Sequence, residues 1–104
     1  MRYSVIPSRT ESGLRTLSVR YRRSALRDLA DIEAYYRSIS EDIHERVYWD
    51  IVSTLDAVRT FPNMYAAHGP GRRPVTPAYG LSILYLVLGD AMEVVGVYRH
   101  QDRT

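Results

Sequence analysis

The sequence predicts an α+β fold in which a helical hairpin packs on one face of a small, twisted antiparallel sheet. Between residues 24 and 61, apolar side chains recur every three or four positions, which is the period of amphipathic helices. From Tyr79 to Tyr98, two runs rich in Val, Ile, Leu and Tyr flank Gly89-Asp90, which is typical of a β-hairpin with a tight turn. A short alternating stretch precedes the helices, so the predicted element order is β-α-α-β-β-β.

The N-terminal residues 1–16 are predicted to form a loose arm, because they contain Pro, Gly and several Ser and Thr without a sustained period. A single domain is predicted over residues 17–104. Its first strand covers 17–21, where Leu17, Val19 and Tyr21 alternate with polar residues, and Ser24 is the predicted N-cap of the first helix.

Two helices account for the middle of the chain. The apolar stripe of the first, over 25–39, consists of Leu26, Leu29, Ile32, Tyr36 and Ile39. Ser40 and the two acids after it predict the start of a second helix, which ends near Phe61-Pro62 and carries the stripe Ile43, Val47, Ile51, Leu55 and Val58. The short break between the helices predicts an antiparallel pair.

The last third of the chain supplies the remaining strands. Residues 63–71 are predicted as a loop, and 72–77, with two prolines, as a short extended edge segment. The first run of the hairpin is apolar on both faces, which predicts a central strand covered on both sides. Gly96 interrupts the second run and predicts a bulge or a close backbone approach.

Composition excludes several kinds of protein. There is no cysteine, so disulfides and thiolate metal sites are impossible. The three histidines are scattered along the chain and do not predict a metal site, and no cofactor is expected. No apolar run approaches the roughly 20 residues that span a bilayer, and a cytoplasmic location is expected.

Charge is distributed unevenly along the chain. Residues 1–23 carry six Arg and one Glu, whereas 24–62 carry four Arg and eight acids. All 14 basic residues are arginine, whose guanidinium can bind phosphate or carboxylate but hardly ever acts as a base.

Four stretches, in their order and spacing, resemble toxins of the bacterial RelE/ParE superfamily. Within that superfamily, the resemblance is nearer to the ParE branch. They are Val19-Arg20-Tyr21 with residues 25–32, Tyr35-Tyr36, Phe61-Pro62 followed by Arg72 or Arg73, and the closing hairpin from Tyr79 to Tyr98. Near the end, Arg99 and His100 precede Asp102 at a shorter spacing than the His and Asp of the family.

The resemblance implies a toxin of a type II toxin–antitoxin system, of the kind that inhibits growth and stabilises plasmids. Members of the ParE branch inhibit DNA gyrase without known catalysis, and this is the leading expectation. The alternative is a RelE-type, ribosome-dependent mRNA endonuclease, and a third possibility is a regulatory module that bridges an antitoxin to operator DNA. The absence of lysine counts against the nuclease, because RelE-type sites use several basic groups, some of them Lys.

The resemblance also implies roles for particular residues. Target binding is expected at an anion clamp made of Arg72, Arg73, Arg99 and Arg103. If the chain is an endonuclease, Arg73 and Arg99 on one exposed face would stabilise the phosphorane charge, and His100 or Tyr79 would supply the proton.

The expected partner besides the target is a cognate antitoxin, in a hetero-oligomer that reaches operator DNA only through the antitoxin. Its C-terminal segment is expected to dock by helix-in-groove packing and strand addition. Antitoxin-binding residues are expected to be Arg20, Arg22, Arg23 and Tyr36, the arginines suiting an acidic segment. No role is predicted for His44 or His68.

Overall fold

The computed structural model describes residues 16–99, which form two helices and one five-stranded sheet. In chain order the elements are β1 (Ser18–Tyr21), α1 (Arg23–Ile39), α2 (Glu41–Thr60), β2 (Ala67–His68), β3 (Gly71–Arg72), β4 (Ser82–Leu88) and β5 (Ala91–Tyr98). The predicted α+β architecture with an N-terminal helical hairpin is confirmed. Most of the predicted arm, residues 1–15, lies outside the described residues, as do 100–104.

The sheet is mixed, whereas the prediction was of an antiparallel sheet. Its strand order is β1-β5-β4-β3-β2, and β1 runs parallel to β5, with Ser18 opposite Ala91 and Tyr21 opposite Val94. The other neighbouring strands are antiparallel. Alternation within β1 fixes which side chains share a face, but it carries no information about the direction of a partner so far along the chain.

The predicted loop over 63–71 contains an additional strand. Two-residue strands β2 and β3 pair around a turn in which Gly69 has a φ of 58°. Strand β3 ends at Arg72, and the backbone of the extended segment after it pairs with β4 through an isolated bridge between Val75 and Ser82. Strands this short carry too few residues for any period to reveal them.

The hairpin of β4 and β5 is confirmed, and β4 is central in the sheet as predicted. Gly89 has a φ of 64° at the first central turn position, where type II′ turns favour glycine. The register shifts where Leu84 faces Gly96 and Tyr85 faces Val94, so that Val95 is an extra, bulged residue. The disruption predicted at Gly96 is therefore a bulge at its neighbour.

The core lies between the helical hairpin and one face of the sheet. Its fully buried residues on the sheet side are Leu81, just before β4, and Ile83, Tyr85, Met92 and Val94 of β4 and β5. The helices contribute Ala25, Ile32, Tyr36, Val47, Ile51, Leu55 and Val58. The expectation that β4 is covered on both faces is wrong for residues 16–99. Leu84 and Leu86 are only partly buried and Leu88 is 48% exposed, because both described helices pack against the opposite face.

The helix boundaries agree with prediction except at the first N-terminus. The Ser40 hydroxyl accepts a hydrogen bond from Ile43 N at 3.0 Å and caps α2, which ends before Phe61. Helix α1 instead begins at Arg23 with Arg22 at its N-cap and no side-chain cap. The Ser24 hydroxyl donates to the carbonyl of Val95 at 2.7 Å, so its partner is a strand rather than its own helix.

Two predicted members of the α1 stripe lie outside the core. Leu26 is 53% and Ile39 52% exposed, and Ala25 is fully buried in their stead. Neither helix in residues 16–99 combines the length and apolar character needed to cross a membrane.

Candidate functional site

A groove with an apolar floor runs between α1 and α2. It is lined by Tyr21 of β1, by Leu29 and Ile32 of α1, and by Val47, Tyr48, Ile51 and Val52 of α2. Glu33 and His44 also line it. The groove exists because the apolar stripes of both helices are wider than the surface they bury against the sheet, and a partner helix could place its apolar face there.

A basic edge borders this groove. Strand β1 is at the end of the sheet, and Arg20, Arg22 and Arg23 on it and just after it are all exposed. Arg22 forms an ion pair with Glu93 at 3.1 Å. Tyr21, between two of these arginines, lines the groove, so the edge and the groove form one continuous surface.

The start of α1 adds to the positive potential of this edge. The first turn of the helix contains no acidic residue, and its N-cap has no side-chain hydrogen bond. The N-terminal end of a helix carries a partial positive charge, which here adds to that of the arginines. An acidic segment is the partner that this surface favours.

Tyr36, predicted to bind antitoxin alongside the arginines, lies in the core. It is 9% exposed, and its ring packs edge-on against Tyr35 at 4.9 Å and Tyr79 at 5.7 Å. Its contribution is to position the neighbouring rings rather than to offer a surface.

Within residues 16–99, the arginines predicted as an anion clamp do not all share one face of the sheet. Arg72 lies opposite Tyr85, and its Nη1 donates to the carbonyl of Tyr65 at 2.7 Å. Arg73, the next residue, points to the other face, where its Nη1 donates to the Ser82 hydroxyl at 3.2 Å. Arg72 is therefore held by a backbone carbonyl, and Arg73 by Ser82, the first residue of β4.

Arg99 lies on the helical side of the sheet. Its guanidinium carbon is 3.8 Å from the centroid of the Tyr35 ring on α1, a cation–π contact. Ser82 pairs with Tyr98, so Arg99, one residue further, faces away from the side where Arg73 meets Ser82. The expectation that Arg73 and Arg99 share one exposed face is wrong. His100 and Arg103 lie outside the described residues.

Tyr79, a predicted proton donor, is half-buried against Tyr36, and its backbone N–H is fixed by a side chain that the sequence did not single out. Asp50 of α2 is 6% exposed, and its two carboxylate oxygens accept hydrogen bonds from Ala78 N at 3.0 Å and Tyr79 N at 2.8 Å. The sequence signal that could have revealed Asp50 is an acidic residue one turn after Val47, inside the apolar stripe of α2.

His44 also has contacts that the sequence did not indicate. Its Nε2 is 3.1 Å from Arg37 Nη2 and 3.7 Å from Glu33 Oε2, both on α1. His68, by contrast, is exposed on the edge strand β2. Within residues 16–99 no three His, Cys, Asp or Glu side chains are placed to hold a metal ion.

The surroundings of Tyr85 change its pKa. Burial raises the pKa of its phenol above 10.0, and the nearby Arg72 opposes the change. Its hydroxyl donates to the carbonyl of Pro62, which ties β4 to the end of α2. This tyrosine is a core residue, with 0% of its surface exposed.

No family model matches this chain, and no curated protein matches it by sequence. Solved structures do match. A chain of the chromosomal ParDE TA (toxin–antitoxin) system from P. aeruginosa is 19% identical, with a TM-score of 0.69 over 81% of this chain and 96% of the other. The chain has the ParE-like fold. A chain of the intact E. coli RelBE toxin–antitoxin complex is also similar, at 15% identity and a TM-score of 0.46, over 80% of this chain and 95% of the other. In this ParE-like fold, the groove and the basic edge are the surface best suited to a peptide partner.

Proposed function

We propose that this chain is the toxin of a type II toxin–antitoxin pair, that a cognate antitoxin neutralises it, and that its target is DNA gyrase. The toxin role is carried by one observation: an apolar groove between α1 and α2 adjoins a sheet edge bordered by arginines. The ParE-like fold shared with a chain of the P. aeruginosa ParDE system supports the same role.

The antitoxin docks in two parts. An amphipathic helix fills the groove, where Leu29 and Val52 are only half-buried and gain most from being covered. An extended segment then adds to β1, which among residues 16–99 has β5 as its sole partner strand. Acidic side chains on this segment meet Arg20 and Arg23 and fix its register.

A gyrase target is supported over mRNA cleavage by the arrangement of the arginines. A phosphorane requires cations that converge on one point, together with a proton donor within reach. Among residues 16–99, Arg73 and Arg99 face opposite sides of the sheet, Arg72 is held by a backbone carbonyl, and the Tyr79 ring packs on Tyr36. An inhibitor that acts by occupying a surface of gyrase needs none of this convergence.

The target is tested by brief induction of the chain without antitoxin in its host. We expect a DNA-damage response and filamentation with intact mRNA, and loss of supercoiling activity by the host gyrase at saturating purified toxin. Cleavage of mRNA within codons, together with normal supercoiling, would overturn the gyrase target and favour the endonuclease. Arg73→Ala and Arg99→Ala would then be the variants to examine.

Antitoxin docking is tested by Val52→Asp, with Ser53→Asp as the matched control. Val52 lines the groove, whereas Ser53 is exposed and is absent from the groove lining. An unpaired buried charge costs about 3–5 kcal/mol, which corresponds to a loss of at least about 100-fold in antitoxin affinity. We expect Val52→Asp to remain toxic but escape the antitoxin, and Ser53→Asp to remain neutralised. Neutralisation of both variants would place the antitoxin elsewhere.

A further inference from the structure

The end of the groove near the tip of the helical hairpin is acidic. This acidic tip consists of Glu33 on α1 and of Glu41, Asp42 and Glu45 on α2, all of them exposed. Arg37 pairs with Glu41 at 3.1 Å. Arg46 pairs with Asp42 at 3.0 Å. Four carboxylates against two guanidiniums leave the tip negative whether or not the neighbouring His44 is protonated.

Helix capping explains only part of this charge. Glu41 and Asp42 lie in the first turn of α2, where acidic residues stabilise the N-terminal end of any helix. Glu45 lies in the second turn and Glu33 in the interior of α1, so neither has this role. Glu45 also has no ion-pair partner among residues 16–99. Its carboxylate is therefore available to a charge that another protein brings.

The acidic tip lies beside the path of the docking helix. On α2, Glu45 precedes Tyr48 and Val52 at spacings of three and four residues, which place the three side chains on one face. Glu33 lines the groove from the wall that α1 forms. Tyr48 lines both the groove and the cleft that contains Glu45, so the two surfaces are continuous.

An exposed indole is a second feature of this cleft that suits a cation. Trp49 is 57% exposed and lines the cleft together with Glu45. The Tyr48 ring packs edge-on against it, with 5.1 Å between the ring centroids. A guanidinium or ammonium group that is attracted by carboxylates gains further from stacking on an aromatic face. A basic side chain of a partner is therefore the group that the cleft favours.

The two ends of the groove thus differ in sign. At the basic edge, Arg20 and Arg23 have no carboxylate partner among residues 16–99, and Arg22 pairs with Glu93. Glu33 follows Arg23 by ten residues on α1, which is about 15 Å along the helix axis. A uniformly acidic partner would be repelled at one end of the groove, and a uniformly basic partner at the other.

We propose that the groove selects an antitoxin helix whose charge changes sign along its length. Its basic side chains lie over Glu33, Glu45 and Trp49. Its acidic side chains begin about ten residues away, where the chain reaches Arg20 and Arg23. This inference rests on the proposed function, because the occupant is the antitoxin. The pattern fixes the direction in which the helix lies, and it disfavours antitoxins whose charges have one sign or run the other way.

The sign of the charge over the tip is tested by Glu45→Arg, with Asp31→Arg as the matched control. Asp31 is an exposed acid of α1 that lines neither the groove nor the cleft, and both variants change the net charge equally. Binding of the purified cognate antitoxin is measured by calorimetry at about 50 mM and about 500 mM salt. At low salt we expect a dissociation constant about fivefold or more higher for Glu45→Arg than for Asp31→Arg, because an attraction becomes a repulsion. The difference should shrink at high salt.

Circular dichroism shows whether these variants fold. If Glu45→Arg does not fold, Glu45→Gln with Asp31→Asn as its control gives the same test, with an expected difference of about twofold. Equal or tighter binding by the Glu45 variant at low salt, or a loss that salt does not diminish, would overturn the charge pattern and leave the toxin–antitoxin function standing. Absence of antitoxin binding by the wild type would overturn both.

Coverage of the tip is tested by fluorescence, because Trp49 is the only tryptophan of the chain. The signal of the antitoxin is removed by subtracting the spectrum of the Trp49→Phe toxin at saturating antitoxin. On binding, we expect emission at shorter wavelength and weaker quenching by acrylamide, since the partner covers the indole. Unchanged emission and quenching, in a complex whose formation calorimetry has shown, would contradict the placement of the basic side chains over Trp49.

Discussion

Removing the Asp50 carboxylate should destabilise the whole domain, because this side chain joins α2 to the loop before β4. Its two oxygens accept from Ala78 N at 3.0 Å and Tyr79 N at 2.8 Å, and the residue is 6% exposed. A hydrogen bond to a charged group contributes about 1.5–3 kcal/mol, and the two N–H donors lie at a partly exposed loop. We expect Asp50→Ala to lower the free energy of unfolding by about 2–4 kcal/mol.

Such a loss is a large part of the stability of a small domain, which is about 5–15 kcal/mol. The measurement is urea unfolding followed by circular dichroism, with an unchanged m-value showing that the loss is in stability. Asp50→Asn should lose roughly half as much, because its amide keeps one acceptor and turns donors towards the second N–H. Asp56→Asn is the control: this exposed side chain pairs loosely with Arg59 at 3.5 Å, and its loss should cost under about 1 kcal/mol. Equal stability of Asp50→Ala and Asp56→Asn would refute the reasoning.

Two further variants test the packing of β4. Tyr85→Phe removes the donor to the Pro62 carbonyl and should cost about 1–2 kcal/mol at pH 7. Burial raises the pKa of Tyr85 above 10.0, so the wild type should lose stability as pH rises beyond 10. Tyr85→Phe should lack this loss. Parallel stability profiles of the two proteins against pH would contradict the prediction. Gly71→Ala places a methyl group against the backbone carbonyl of Tyr85 and should lower the free energy of unfolding by at least about 2 kcal/mol. Gly69→Ala should cost less, because its methyl group meets open space and only the φ of 58° is unfavourable for alanine. The reverse order of the two variants in thermal unfolding would show that β3 can move away from β4.

The helices and the hairpin could be predicted because their signals are local. The stripes of α1 and α2, the Ser40 cap and the Gly89-Asp90 turn each depend on residues a few positions apart in the sequence. The direction of β1 and the role of Ser24 could not be predicted, because both depend on contacts with β5, at the other end of the chain.

The candidate site, like the fold, could be predicted only where its residues are close together in the sequence. Arg20, Arg22 and Arg23 lie together because they are neighbours in sequence. The expectation for Arg99 failed because the bulge at Val95 inserts one residue into β5, and a one-residue shift turns every later side chain to the other face. Without it, alternation from Val94 would place Arg99 on the side of Arg73. The sequence did not single out Asp50 and predicted no role for His44, because their partners lie on other elements.

Helix α1 takes over the edge of β5 where β1 stops. Beyond Tyr21 the Ser24 hydroxyl donates to the Val95 carbonyl, and Asp28 Oδ2 accepts from Val97 N at 3.1 Å. These two side chains occupy the ladder positions that another chain would need in order to extend the sheet at this point. Self-association through exposed strand edges is a standing hazard of small sheets, and here the hazard is confined to β1 and β2 in the part of the chain between 16 and 99. The helix thus protects the molecule from its own copies while leaving free the edge of β1, to which we propose that the antitoxin adds.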